Sequence, residues 1–300
     1  MVKVLKTRRR LYNSDTVFYV IVGIVISLLF LITAYPMIQI VSASFSDRYA
    51  VMAGKVVLWP VGFNLEGYRA VFRYPDIITG YRNTIYYTSV GTVIAVFVTM
   101  MAAYPMARQG WYGKKAVTTF FIVSMFFSGG LIPTYLQIRS LGLLNTVWAL
   151  VLPGAMSIYN MVVARTFIQS NIPNELFESA KIDGASEFRC FWNIVLPLSK
   201  AVIAVLVLYN AVGFWNSYFS AFIYLSKRSQ YPLQVFLREI LILNTIDQEL
   251  VDEALQQGMQ GMYDLLKYAI IVAATAPIIC VYPFIQKYFV KGVMIGSLKG

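Results

Sequence analysis

The chain has 300 residues, 58% of them apolar and only 13% charged, with a mean hydropathy of +0.64, where a soluble domain carries roughly 25% charged residues; this is the composition of an integral membrane helical bundle. The net charge of +11 does not point to nucleic acid, because the lysines and arginines flank apolar runs, where orientation determinants sit. The absence of histidine excludes a histidine-ligated haem or zinc and a histidine proton relay; Cys190 lies in a polar segment and Cys280 inside an apolar run, so no disulfide between them is expected.

A basic start, Lys3 to Arg10, precedes an uncharged run from Thr16 to Ser46. That run is far longer than the roughly 7–15 apolar residues of a signal-peptide core, so it reads as a retained transmembrane helix near Val17–Val41. Asn64–Phe72 has the pattern of a short capped helix lying at the membrane surface. Five more uncharged runs follow: Asn83–Ala107, Ala116–Ile138, Ser140–Ala164, Ala201–Ser226 and Tyr268–Gln286. Each approaches or exceeds the about 20 residues that cross a hydrocarbon core. Six spans in one domain, 1-300, put both termini on the same side. Only Arg139 separates the third run from the fourth. Gly129, Gly130 and Pro133 are expected to break the third helix early, Thr134–Asn145 to form a surface or re-entrant piece, and the fourth helix to start near Thr146.

The longest polar segment between two of these runs is Asn171–Lys200. Asn171-Ile172-Pro173 is a helix-start signal. Leu176, Phe177 and Ala180 then share one face, with Glu175, Glu178 and Lys181 elsewhere. Gly184 is expected to end this helix in a left-handed turn. Ser186 can cap a second helix whose Phe188, Trp192 and Val195 form another apolar face before Pro197 stops it. Two short amphipathic helices joined at a glycine make a compact knob for a partner to hold.

Ser226–Asp264 is the longest segment expected on the other side, with a helical pattern over Gln234–Leu243 and an acidic stretch, Asp247–Glu253. It is either a connecting loop or a docking surface for an extracytoplasmic partner. The segments grouped with the N-terminus are the richer in lysine and arginine, and Arg108–Lys115 has no acid at all. The bias favours both termini inside.

Several chemistries are missing. There is no Walker A motif, so the chain does not hydrolyse ATP by that route. No acidic or basic residue lies in the middle of a run, as ion-coupled carriers need, and no internal repeat is evident. A filter-type re-entrant loop would have to be Phe127–Pro133, which reads better as a helix break. The chain therefore needs an energy source from elsewhere. Polar and aromatic residues within the spans (Asn160, Asn210, Trp215, Asn216 and Tyr218) are of the kind that hold neutral sugars, and equally of the kind that pack membrane helices.

Glu178-Ser179-Ala180, then Gly184 after three residues, then Ile194-Val195-Leu196-Pro197 after nine, follows the pattern E-A-A-x3-G-x9-I-x-L-P. This resembles the signature loop of the membrane subunits (permeases) of ABC importers of the type I, maltose-permease-like class. Ser179 is the one departure. Phe127–Tyr135, Phe214–Phe219 and the tail Gln286–Gly300 look like its carbohydrate-uptake branch, often linked to oligosaccharides and uronate-containing polysaccharide fragments.

The resemblance covers essentially the whole chain. It implies an all-α, six-span permease of the bacterial plasma membrane, a second related permease, two copies of a cytoplasmic ABC ATPase and an extracellular solute-binding protein. It implies no cofactor on this chain, ATP and magnesium belonging to the ATPase. Leu176, Phe177, Glu178, Ser179, Ala180, Asp183, Gly184, Ala185, Ile194, Leu196 and Pro197, within the 170-200 loop, would couple to that ATPase, and the tail Gly292–Gly300 would reach toward its interface. A stand-alone secondary carrier and a membrane scaffold or sensor are the competing readings. Reconstitution with and without an ATPase separates all three.

Overall fold

A computed structural model describes residues 2–243 and 253–297; the greater part of the acidic stretch and the end of the tail fall outside them. Every regular element among the described residues is helical. In chain order they are α1 (Val2–Ser44), α2 (Arg48–Met52), α3 (Glu66–Arg73), α4 (Pro75–Ala107), α5 (Lys114–Phe126), α6 (Leu131–Ser140), α7 (Trp148–Val151), α8 (Ile158–Asn171), α9 (Asn174–Ile182), α10 (Glu187–Cys190), a π-turn (Phe191–Val195), α11 (Leu196–Leu198), α12 (Lys200–Trp215), α13 (Phe219–Tyr224), α14 (Leu233–Leu243) and α15 (Glu253–Ser297).

Three of these are long and apolar enough to cross a membrane, over Asp15–Ser44, Pro75–Ala107 and Gly261–Pro283. Two bent pairs raise the number to five if each is one span: α5 with α6, at 116°, and Glu187–Leu198 with α12, at 81°. The first bend falls where Gly129 and Gly130 leave helical geometry, as their pattern predicts. The fourth expected span is where sequence and structure differ. Ser140–Ala164 is not one helix: α7 is a single turn, Pro153-Gly154 interrupts the chain, and α8 begins at Ile158 and runs on to Asn171. A proline without an N–H beside a glycine ends helical pairing more firmly than apolar composition sustains it.

The chain divides into two compact units. One comprises 1–73 with 243–273. In it, Asn64 Oδ1 accepts from the Glu66 N–H at 2.8 Å and so caps α3, the short helix expected there. Ser46 Oγ accepts from the Val61 N–H at 3.0 Å and donates to the Ser42 carbonyl at 2.7 Å, fastening the loop between α2 and α3 to the end of α1. Burial raises the Tyr68 phenol above its ordinary value, which its hydrogen bond to Ser44 partly offsets.

The second unit comprises 74–242 with 274–300. Its spine is α4, packed against α8 and α12. At the end of α4 nearest Asp76, Asn83 Nδ2 donates to the carbonyls of Ser229 and Tyr231, at 2.9 and 3.0 Å, and Thr84 Oγ1 accepts from the Leu233 N–H at 2.8 Å. At the other end lies a continuous apolar cluster, from Met100 through Met161 and Ile168 to Phe191 and Leu206. Cys190 is buried in that cluster and Cys280 is exposed, both as free thiols.

Candidate functional site

The knob forms between the end of α8 and the start of α12. Pro173 occupies the N-cap of α9, one place earlier than a first-turn proline, and its extended backbone separates α9 from α8. α9 ends at Ile182, and Gly184 follows at φ +75°. That left-handed conformation suits a residue without a Cβ. The Ala185 N–H returns to the Ala180 carbonyl at 2.9 Å, closing the turn. Ser186 Oγ then accepts from the Arg189 N–H at 3.3 Å and caps α10. Pro197 does not stop this second helix. The chain passes through the π-turn, in which the Leu196 N–H reaches the Phe191 carbonyl, continues as α11 and breaks at Ser199. The bend of 81° comes there, so the proline tilts the entry into α12 rather than ending the knob.

The two faces of α9 differ sharply. Phe177 is 3% exposed and lies in the apolar cluster with Met100, Ala103, Ile168 and Ile172. Its ring is 6.0 Å from that of Tyr104, and the Arg108 guanidinium carbon stands 4.1 Å above it. Tyr104 donates its hydroxyl to Glu187, whose carboxylate also lies 3.6 Å from Arg108. Tyr104 and Arg108 belong to the end of α4 and Glu187 to α10, so one aromatic, one acid and one guanidinium tie both knob helices to the same span. Phe191, 5.8 Å from Tyr104, adds a second aromatic tie. Ala180, Ala185, Ile194 and Leu196 pack partly buried against the same cluster, and Val195 is fully buried.

The outward face and the turn that follows it carry Leu176, Glu178, Ser179, Asp183 and Gly184, all exposed; Pro197, in α11, is exposed as well. The outward face also carries Ile182, 87% exposed, a residue that helical periodicity does not single out. Of the expected apolar anchor, Leu176 faces out, Phe177 faces the protein's own core and Ala180 lies between. The face expected from Phe188, Trp192 and Val195 divides in the same way, with Phe188 and Trp192 exposed and Val195 inside. Ser179 Oγ donates to the Glu175 carbonyl at 2.8 Å, so the hydroxyl that stands in place of a methyl is paired within its own helix.

The residues singled out as sugar contacts do not converge. Asn210 is buried and donates to the Leu206 carbonyl at 2.8 Å; the Trp215 indole N–H donates to the Ala274 carbonyl at 3.0 Å. Asn160 is buried on α8. Asn216 and Tyr218 sit just beyond α12, Asn216 Oδ1 at 3.5 Å from Gln234 Nε2 and the Tyr218 ring at 5.2 Å from the Arg238 guanidinium carbon. None of the five lines the cavity of about 520 Å³ between α4 and α12, whose polar wall is Thr88, Ser89 and Thr92. The hydroxyls of Thr88 and Thr92 are buried there without a hydrogen-bond partner. Threonines inside an apolar run give little signal in composition, which is why sequence reasoning missed them.

The family model described as binding-protein-dependent transport system inner membrane component matches residues 77–295. Protein LplC of Bacillus subtilis (strain 168) is 43% identical over 269 residues, 90% of either chain. The polygalacturonan/rhamnogalacturonan transport system permease protein YtcP of the same organism is 40% identical over 270 residues, 90% of this chain and 94% of its own. Among solved structures, a chain of a bacterial ABC transporter involved in the import of the acidic polysaccharide alginate superposes with a TM-score of 0.82 at 31% identity, covering 92% of this chain and 98% of that one. A chain of a bacterial alginate ABC transporter in complex with an alginate pentasaccharide-bound periplasmic protein shares the fold, with a TM-score of 0.55 at 17% identity.

Proposed function

The chain belongs to the family of binding-protein-dependent transport system inner membrane components, and from that membership we propose that it forms half of the translocation path of an importer for acidic oligosaccharides, driven through α9 by a separate ATPase. As a permease subunit of the bacterial cytoplasmic membrane it is not itself catalytic. A second, related permease completes the path, two ATPase chains hold the ATP and magnesium, and a solute-binding protein delivers the sugar. The substrate class rests on two likenesses: polygalacturonan and alginate, for which a relative and a structural neighbour are named, are both polymers of uronates.

One observation carries the coupling role. α9 through Phe177 and α10 through Glu187 are bolted to Tyr104 and Arg108 at the end of α4, while Leu176, Glu178, Ile182 and Gly184 remain outside. A push on the outer face reaches α4, α8 and α12 through packed side chains rather than through a flexible loop, and rigid-body motion of the spans then switches access. Leu176 and Ile182 supply apolar contact, Glu178 a carboxylate for an arginine of the ATPase, and Gly184 a turn without a side chain. Asp183 and Ser179 belong to the same exposed surface. The hydroxyls of Thr88 and Thr92, buried without a hydrogen-bond partner in the wall of the cavity between α4 and α12, are the contacts we assign to sugar passage.

Glu178→Lys and Gly184→Val test the coupling role. Both positions are exposed, and nothing lies within 4 Å of a Cβ built on Gly184, so the variants should reach the membrane and keep the permease partner. They should lose the ATPase on purification and lose ATP-dependent uptake. Glu178→Lys carries the greater weight, since valine also strains a left-handed turn. Normal retention and uptake in the Glu178 variant would place docking elsewhere.

A further inference from the structure

The turn from α4 into α5 borders a basic hollow that shares no lining residue with the cavity of Thr88 and Thr92. It is an open depression of about 900 Å³, and its walls include Trp111, Lys114, Lys115, Thr118 and Arg165. No carboxylate lines it. Lys114 Nζ donates to the Arg108 carbonyl at 2.9 Å, which holds that ammonium group at the wall. Arg165 Nε and Thr118 Oγ1 are buried without a hydrogen-bond partner. A guanidinium nitrogen withdrawn from water and left unpaired is costly, and an anionic oxygen that accepts from it removes the cost. Three cations and a hydroxyl around one hollow match the non-bridging oxygens of a phosphate group.

The surroundings distinguish a lipid phosphate from a free one. Trp111 is 42% exposed and Tyr112 beside it 99%, and such amphipathic rings settle at headgroup depth. α5, which leaves the hollow, buries none of its residues; Phe120 and Phe126 are among its exposed apolar side chains. A phospholipid entering here lays its acyl chains along that apolar surface, which a soluble anion cannot do. We propose that the hollow is a site for the headgroup of an anionic phospholipid, with Lys115 and Arg165 pairing with its phosphate and Trp111 fixing its depth.

Native mass spectrometry of the full chain with its co-purified partners, in neutral detergent supplied with phosphatidylglycerol or phosphatidylcholine, tests this. Phosphatidylglycerol should stay bound where phosphatidylcholine is lost. Lys115→Gln and Arg165→Gln should each weaken retention about fivefold, and Lys115→Arg should preserve it. Melting in lipid-free detergent identifies any variant that merely unfolds; Lys115 is exposed, so its variant keeps the test decisive if Arg165→Gln does not fold. Equal retention of both lipids, or retention that neither variant changes, would overturn the proposal. Displacement of phosphatidylglycerol by inorganic phosphate alone would overturn it too, identifying a soluble-anion site.

Discussion

Ser179 stands where the signature pattern has alanine, and its hydroxyl donates to the Glu175 carbonyl one turn back. A hydroxyl already paired inside its own helix presents a docking partner with little more than a methyl group would. Ser179→Ala is therefore expected to shift stability by no more than about 0.5 kcal/mol, with ATPase retention and uptake unchanged; a lost ATPase would mean the hydroxyl is read directly. Phe177 and Ile182, five positions apart on the same helix, should separate packing from docking. Truncating a buried phenylalanine costs about 3–5 kcal/mol, so Phe177→Ala should lower the melting temperature of the purified permease clearly. Ile182→Asp, at an 87% exposed position, should leave the melting temperature alone and release the ATPase. If the two variants gave the same pattern, α9 would not have separate inner and outer roles.

Between elements, the close approach of α4 and α12 rests on Gly91. A Cβ there would lie 2.7 Å from Phe214 Cζ, well inside van der Waals contact. Gly91→Leu should force the spans apart and lower both melting temperature and uptake, and Phe214→Ala in the same chain should restore part of both. No restoration by the second change would mean that Gly91 matters for some other reason. The packing partner of a glycine is a tertiary fact, so nothing in the run Asn83–Ala107 announces it. What was legible came from local chemistry: Asn64 capping α3, the break at Gly129-Gly130, the left-handed Gly184 and the cap at Ser186 each depend on a few neighbouring atoms. What was not legible depends on competition over longer range. Pro197 lies within reach of a π-turn that lets the chain bend instead of stopping, and Pro153-Gly154 divides a run whose composition alone reads as one span. Asn145 is a third case. At φ +60° it accepts from the Ser226 N–H at 2.6 Å and gives its own N–H to the Tyr224 carbonyl at 3.0 Å, joining segments that sequence spacing keeps far apart. Phe177 is the corresponding case at the site, since periodicity groups it with Leu176 and only the end of α4 decides which of the two turns inward.

For the whole molecule, the coupling role depends on which side of the membrane the knob occupies. The charge distribution argues for the inside. Lys3, Lys6 and Arg8–Arg10 precede the first span, and Arg108, Lys114 and Lys115 occupy a turn with no acid at the knob's end of α4. Lysine and arginine beside short loops resist translocation, whereas acids contribute little to orientation. The knob itself carries Arg165, Lys181, Arg189 and Lys200 within or beside it. Its compact anchorage to Tyr104 and Arg108 means it must lie on the same side as that turn. In a chain with Cys190 and Cys280 replaced by serine, Tyr112→Cys, at a 99% exposed position in that turn, should react with a membrane-impermeant maleimide only in inside-out vesicles. Trp59→Cys, at an 80% exposed position in a segment expected outside, should react only in intact spheroplasts. Uptake by both variants confirms that the labelled protein is native. The opposite labelling pattern would place the knob outside the cell, beyond the reach of any cytoplasmic ATPase, and α9 would then have to meet the solute-binding protein instead.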